Sequence, residues 1–249
     1  MATDSIASAA AVDRTRYAEE VAENGFAIVN DVISDRRVAE LRGAIASLPE
    51  SEEVRRRTNV YGVRNLLEVL PEAAVLAAEP AIRSLVTPVL GDDCFAVRAT
   101  FFDKAPGANW NLRWHQDGVI AVRDRVETPG FTAWAQKAQT WQVRPPAGVL
   151  GSMLAIRVHL DDCPAANGAL RVLAGSHRQW WPREELDTAK QRHPQRVCEA
   201  RAGGVLAMRP LLLHASSAAE APAHRRVIHI EYARDELPGK LEWRSRIAG

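Results

Sequence analysis

The stretch "RRVIHIEYA", Arg225 to Ala233, reads with a period of two. Successive side chains of a strand point to opposite faces. Arg225, Val227, His229 and Glu231 therefore share one side, and Arg226, Ile228, Ile230 and Tyr232 the other. The isoleucine side is suited to packing on a helical layer. The opposite side carries a cation, an imidazole and a carboxylate, which suits the wall of a pocket.

The same period runs outward from this stretch. "CFAVRATFFDK" (94–104), "MLAIRVHLDD" (153–162), "ALRVLAG" (169–175) and "GGVLAMRPLLLHASS" (203–217) are strand-like runs separated by Gly, Pro, Asn and Asp. Before residue 93 the period is 3.6. "DRTRYAEEVAENGFAIVND" predicts a helix, a stop at Gly25 and a short strand from Phe26 to Val29. "SDRRVAELRGAIASLP" predicts a helix capped by Ser34, with Val38, Leu41 and Ile45 on one face. Residues 66–91 read as two short helices broken at Pro71 and Pro80 and ending at Gly91. The one later helical candidate is 181–193.

Helices followed by many non-adjacent strands predict a mainly β fold with N-terminal helices. The expected form is a double-stranded β-helix (jelly-roll, cupin-like) barrel with the helices packed on one sheet. With no repeat or low-complexity linker, 1–249 reads as a single domain. Residues 1–92 would be mainly helical support and 93–249 the barrel strands, with a lid-like loop at 118–145 and a helical insertion at 181–193.

Bulk properties exclude several partners. Lys+Arg 32 against Asp+Glu 31 gives a net charge of +1, so neither nucleic acid nor an anionic membrane is expected. No apolar run is long enough to span a bilayer. The start, "MATDSIASAAAVDRTRY", lacks a basic region and carries Asp4, so it reads as a frayed leader rather than a signal peptide. Cys94, Cys163 and Cys198 form neither a disulfide framework nor a zinc pattern, and read as reduced, buried thiols of a cytoplasmic protein.

"NWNLRWHQDGVIAV", residues 109–122, places His115 and Asp117 two apart. Both can reach a single ion from one face of a strand, although such a pair also occurs as polar decoration of a solvated one. A third ligand must come from His159, His177, His193, His214, His224 or His229. His214 closes the apolar run "VLAMRPLLLH" just before polar "ASS", as a strand edge opening into a pocket or as a satisfied core histidine. Two imidazoles and a carboxylate that leave positions open suit a non-haem Fe(II) oxygenase, and Arg225 offers the fixed cation an anionic co-substrate needs.

Three segments in order, "WHQD" at 114–117, "HLDDCPAANGALRVLAGSH" at 159–177 and "GGVLAMRPLLLHASSAAEAPAHRR" at 203–226, resemble the phytanoyl-CoA dioxygenase family of Fe(II)/2-oxoglutarate oxygenases. The resemblance implies His115, Asp117 and His214 as iron ligands. It implies Arg225 as the partner of the distal carboxylate of 2-oxoglutarate, with the Ser216 hydroxyl beside it. Arg226 is the neighbouring alternative, and strand parity favours Arg225. His177 resembles a structural residue of the family. Related halogenases replace the carboxylate with a small residue, so Asp117 disfavours halogenation.

The activity implied uses Fe(II), 2-oxoglutarate and O2 to hydroxylate a small-molecule metabolite, releasing succinate and CO2. The same site would serve desaturation, epimerisation or oxidative cyclisation. A non-catalytic ligand-binding barrel and a zinc hydrolase are the alternatives from other classes. A monomer or a homodimer is expected.

Two further arginines are candidates for a co-substrate or substrate anion, Arg157 and Arg98. Each stands in an apolar strand, where the other reading is an ion pair with an acidic neighbour. Lys104, beside Pro106-Gly107, reads as a solvated loop residue. Phe131 and Trp134 are candidate lid residues, and Trp180-Trp181 either lines the mouth or packs.

Overall fold

Local chemistry sets the helical ends. Asp13 accepts hydrogen bonds from the N–H groups of Thr15 and Arg16, opening helix Arg14–Asn24, and Gly25 closes it at φ +82°. Any Cβ at Gly25 would lie 2.5 Å from Nδ1 of His177, so His177 packs directly on this turn. Ser34 Oγ accepts from Arg37 N–H and caps helix Asp35–Ala46, which buries Val38, Leu41 and Ile45. Helices Pro71–Ala78 and Pro80–Leu90 each begin with proline, where the missing N–H is no loss. The computed structural model describes residues 13–105, 109–220 and 223–248; most of the expected frayed leader and the Pro106-Gly107 turn lie outside them.

The larger sheet is antiparallel. Its strands run in the order Phe26–Val29, Val205–Met208, Met153–His159, Arg226–Ala233, Phe95–Asp103, Val60–Val63 and Val54–Arg56, with Ile247–Ala248 also on Phe95–Asp103. A smaller sheet runs Gln195–Cys198, Leu170–Leu173, His214–Ser216 and Leu112–His115. The two face one another as a jelly roll rather than a closed cylinder, and share a core in which Ala155, Leu206 and Met208 meet Leu170, Val172 and Cys198.

The helices cover the other side of the larger sheet, where Ile156, Val158, Ile228, Ile230 and Tyr232 pack with Val21, Leu41 and Leu85. The Tyr232 hydroxyl donates to the carbonyl of Ala77 at 2.9 Å and ties the sheet to that layer. Among the described residues no single helix is long and apolar enough to cross a membrane. All three cysteines are free and buried.

Segment 118–145 differs from expectation. It is a three-stranded sheet of Ile120–Val122, Thr140–Arg144 and Thr132–Lys137 rather than a loop. Ile120, Val122, Phe131 and Val143 bury in a core with Phe95, Met153 and Trp243. Burying them takes their backbone out of water, and strand pairing satisfies it. The expected helical insertion is present as Arg183–Glu185 and Leu186–Arg192.

Candidate metal centre

Strands Leu112–His115 and His214–Ser216 are antiparallel neighbours, and their register sets His115 opposite His214. The ring centroids lie 4.1 Å apart. Asp117, two residues on, is fixed by its N–H donating to Pro210 O at 2.9 Å. One carboxylate oxygen lies 3.8 Å from His115 Nε2 and the other 3.8 Å from His214 Nε2. These gaps are too long for hydrogen bonds. They are the width that a first-row ion bridges with ligand distances of about 2.0–2.2 Å.

The imidazoles are prepared for that role. His115 Nδ1 lies 2.8 Å from Arg113 O, and His214 Nδ1 2.8 Å from Leu212 O. A carbonyl only accepts, which assigns the proton to Nδ1 and leaves the lone pair on Nε2, facing Asp117. Burial holds His214 down at about 4, against the opposing pull of Asp117, so this imidazole is neutral at neutral pH. Burial also pushes the Asp117 carboxyl up, but His214, His229, His115 and Arg157 outweigh it and hold the group at about 2. Two imidazole Nε2 atoms and one carboxylate, with no hydrogen bond among the described residues tying up the carboxylate, fit a divalent first-row ion.

Between His115 and Asp117, the side chain of Gln116 is bonded elsewhere. Its amide donates to Gln179 O at 2.8 Å and to Leu211 O, and its oxygen accepts from Trp181 N–H at 2.8 Å. It pins the ligand strand to the chain leading into the insertion. Nothing in its sequence context marks it.

A cavity of about 420 Å³ separates these three side chains from the larger sheet. The inner face of that sheet is built in rows: Arg98 opposite Glu231, then Thr100, His229 and Arg157, then Phe102, Val227 and His159. Arg225 and Lys104 follow at the far end.

Arg225 is buried, and its backbone N–H donates to Asp103 at 3.0 Å. Its guanidinium donates to Gly168 O; among the described residues its Nε has no partner and no carboxylate forms an ion pair with it. Ser216 lines the cavity with it. Arg226 turns outward, bidentate on Asp161 at 2.8 and 2.7 Å.

Arg157 is buried too, with its Nη1 3.1 Å from His229 Nδ1; among the described residues its Nε is unpartnered and it forms no ion pair. Burial, then the charge of Arg225, lowers it to about 10. Arg98 instead meets Glu231 at 3.4 Å, and Glu231 also faces His229 Nε2 at 3.5 Å. Lys104 corrects the sequence expectation. It is 1% exposed, donating at 2.8 Å to both Ser216 Oγ and Ser217 O, and lies 5.6 Å from the centroid of the Trp110 ring. The strand Phe95–Asp103 delivers it inside the jelly roll, where hydroxyl and carbonyl acceptors await it.

Phe131 and Trp134 do not line the cavity. Phe131 is in the core, and Trp134 packs edge-on against Trp141 at 6.4 Å. The segment contributes Gly118, Val119 and Arg144 to the rim instead, beside Trp180. Trp181 is buried and bonded through Nε1 to Ser176 O at 2.9 Å.

The sequence pattern of the phytanoyl-CoA dioxygenase (PhyH) family matches residues 21–227. Ectoine dioxygenase of Nocardia farcinica (strain IFM 10152) is 27% identical over 169 residues, covering 64% of this chain and 49% of the relative. The chain thus spans about half the length of that curated relative. EctD from S. alaskensis, solved with 2-oxoglutarate and 5-hydroxyectoine, superposes with a TM-score of 0.65 at 19% identity, covering 94% of this chain and 78% of that one. The non-heme alpha ketoglutarate dependent epimerase SnoN from nogalamycin biosynthesis superposes with a TM-score of 0.65 at 17% identity, covering 91% and 90%. These likenesses establish a shared fold.

Proposed function

The chain belongs to the phytanoyl-CoA dioxygenase family, and from that premise we propose that it is a non-haem Fe(II)/2-oxoglutarate-dependent dioxygenase hydroxylating a small-molecule metabolite. The observation that carries the reading is one convergence: two Nε2 lone pairs and a free carboxylate face a cavity whose far end holds a buried arginine without a carboxylate partner. When bound, Fe(II) with 2-oxoglutarate and O2 supplies the oxidising chemistry, and the co-substrate leaves as succinate and CO2.

The residues' own contributions follow from their surroundings. His115, Asp117 and His214 would hold the metal, and the cavity they border is also lined by His229 and Arg157. Arg225 is the bidentate partner for the distal carboxylate, since a planar guanidinium matches a carboxylate better than a point charge does. Ser216 adds a hydroxyl. Arg157 contacts the co-substrate or a substrate anion, because among the described residues its side chain meets the His229 ring and no carboxylate. Arg98 is already answered by Glu231 and serves to orient that wall. The jelly roll excludes water from the reacting region.

The same ligand set serves desaturation, epimerisation or oxidative cyclisation, and SnoN, with the same fold, is named an epimerase. The mass of the product separates these outcomes, since hydroxylation adds one oxygen atom. A non-catalytic barrel would need none of the four polar residues His115, Asp117, His214 and Arg225. The deciding experiment is succinate formation from 2-oxoglutarate, stimulated by one member of a metabolite panel. Stimulation by no member, with Fe(II) bound, favours the binding protein. We place the enzyme in the cytoplasm as a single-domain monomer or homodimer without nucleic-acid or membrane partners. Its reduced thiols and near-zero net charge support this.

A further inference from the structure

A second concavity, of about 610 Å³, lies where the strand Leu112–His115 meets the insertion. Arg113, Arg171 and Arg183 line it together with Trp114, Trp180 and Trp181, and no acidic side chain does. Among the described residues none of these three arginines forms an ion pair with a carboxylate, so the groove carries three uncompensated cations side by side. Arg171 lies over the Trp114 ring at 5.7 Å, and its Nε is buried with no acceptor. Burying a guanidinium N–H without a partner is unfavourable, and an anion in the groove would offset that cost through the charge of the same guanidinium. Indole and guanidinium planes together also favour a flat ring.

The groove is joined to the metal cavity. Leu112, His115, Gln116 and Trp180 line both. Trp180 stands at the junction: a Cβ on Gly118 would come within 2.7 Å of its ring, and Arg144 covers it at 5.0 Å. A molecule seated among the three arginines thus has a route past Trp180 towards the face where His115 and Asp117 meet.

We propose that this groove is a second binding site that takes the anionic, ring-bearing end of the substrate, while the rest of the molecule extends to the metal. The site itself stands on its own side chains; only its assignment to the substrate rests on the oxygenase reading. Phenyl phosphate is a suitable probe, read by intrinsic tryptophan fluorescence because three indoles line the groove. It should bind saturably, more tightly than inorganic phosphate or benzyl alcohol, and saturating 2-oxoglutarate with Mn(II) should leave it in place. The Arg113→Ser/Arg171→Met variant should weaken it by about tenfold or more, the loss of a charge-assisted hydrogen bond. The Arg113→Ser/Arg183→Ser pair, altered only at exposed positions, should weaken it in the same direction. Displacement of the probe by 2-oxoglutarate would locate it in the metal cavity and overturn the proposal. So would equal binding of benzyl alcohol or inorganic phosphate, or unchanged binding by both variants. None of these measurements depends on turnover, so their failure leaves the oxygenase reading standing. Absence of succinate formation with the probe bound as expected would instead remove only the assignment to substrate.

Discussion

The ammonium of Lys104 lies 2.8 Å from the hydroxyl oxygen of Ser216, although 112 residues separate them in sequence. An ammonium can only donate, so Ser216 Oγ is the acceptor and its own hydrogen is free to turn into the cavity beside Arg225. Lys104 therefore makes Ser216 a donor, which is what a carboxylate requires. Lys104→Met should weaken 2-oxoglutarate binding by about 1.5–3 kcal/mol, in the range of a hydrogen bond to a charged group. In a double-mutant cycle with Ser216→Ala the two effects should be non-additive by at least about 0.5 kcal/mol. Strict additivity would mean that Lys104 does not act through Ser216.

The same ammonium gives a pH dependence. Burial, then the charge of Arg225, pushes Lys104 down to about 7. Below that pH it is a cation and attracts a dicarboxylate; above it the empty site loses that charge. Affinity for 2-oxoglutarate should fall as pH rises through about 7, and titration calorimetry should show proton uptake on binding in that range. Lys104→Met should flatten the profile.

Why Lys104 escaped a reading of the sequence is instructive. A lysine next to Pro-Gly carries every sign of a solvated turn, and only tertiary contacts with Ser216 and Ser217 reverse it. The strand Arg226–Ala233 was legible because each face meets a different environment, isoleucines on helices and polar groups on the cavity. The strand Thr132–Lys137 was not, because nearly all of it is exposed on both faces and leaves no alternation to read. For the metal set, i, i+2 spacing was enough to pair His115 with Asp117. Bringing in His214 depended on the three motifs, since its register with His115 is a property of the folded sheet.

Arg225→Ala should weaken 2-oxoglutarate binding by about 2–5 kcal/mol, since a buried carboxylate would lose its charged partner. Mn(II) binding without co-substrate should be unchanged, because Arg225 does not contact His115, Asp117 or His214. An unaltered co-substrate affinity would transfer the role to Arg157, whose guanidinium is equally without a carboxylate.

Asp117→Ala should reduce Mn(II) affinity, measured by equilibrium dialysis, by about tenfold or more, as the only anionic donor of the set is removed. Without metal the variant should be somewhat less stable at neutral pH, because a carboxyl held at about 2 is one whose ionised form the folded state favours. The carboxylate is held among imidazoles with no hydrogen bond of its own, so it contributes to ion binding rather than to packing.

Gly118→Ala tests how closely the rim is fitted. The added methyl would stand 2.7 Å from Cη2 of Trp180 and 2.8 Å from its Cζ3, well inside van der Waals contact. The indole must move, and it carries the Arg144 guanidinium with it. Trp180 is half-buried rather than locked in the core, so the cost should be about 1–3 kcal/mol, as for an overpacked site, without loss of the fold. The tryptophan emission should shift, and phenyl phosphate binding should weaken, because Trp180 is shared by the groove and the metal cavity. Mn(II) affinity should hold, since the Asp117 N–H bond to Pro210 O lies on the other side of the residue. If emission and probe binding stay unchanged while metal is lost, then Gly118 serves the backbone of Asp117 rather than the packing of Trp180, and the rim is not where the two cavities meet.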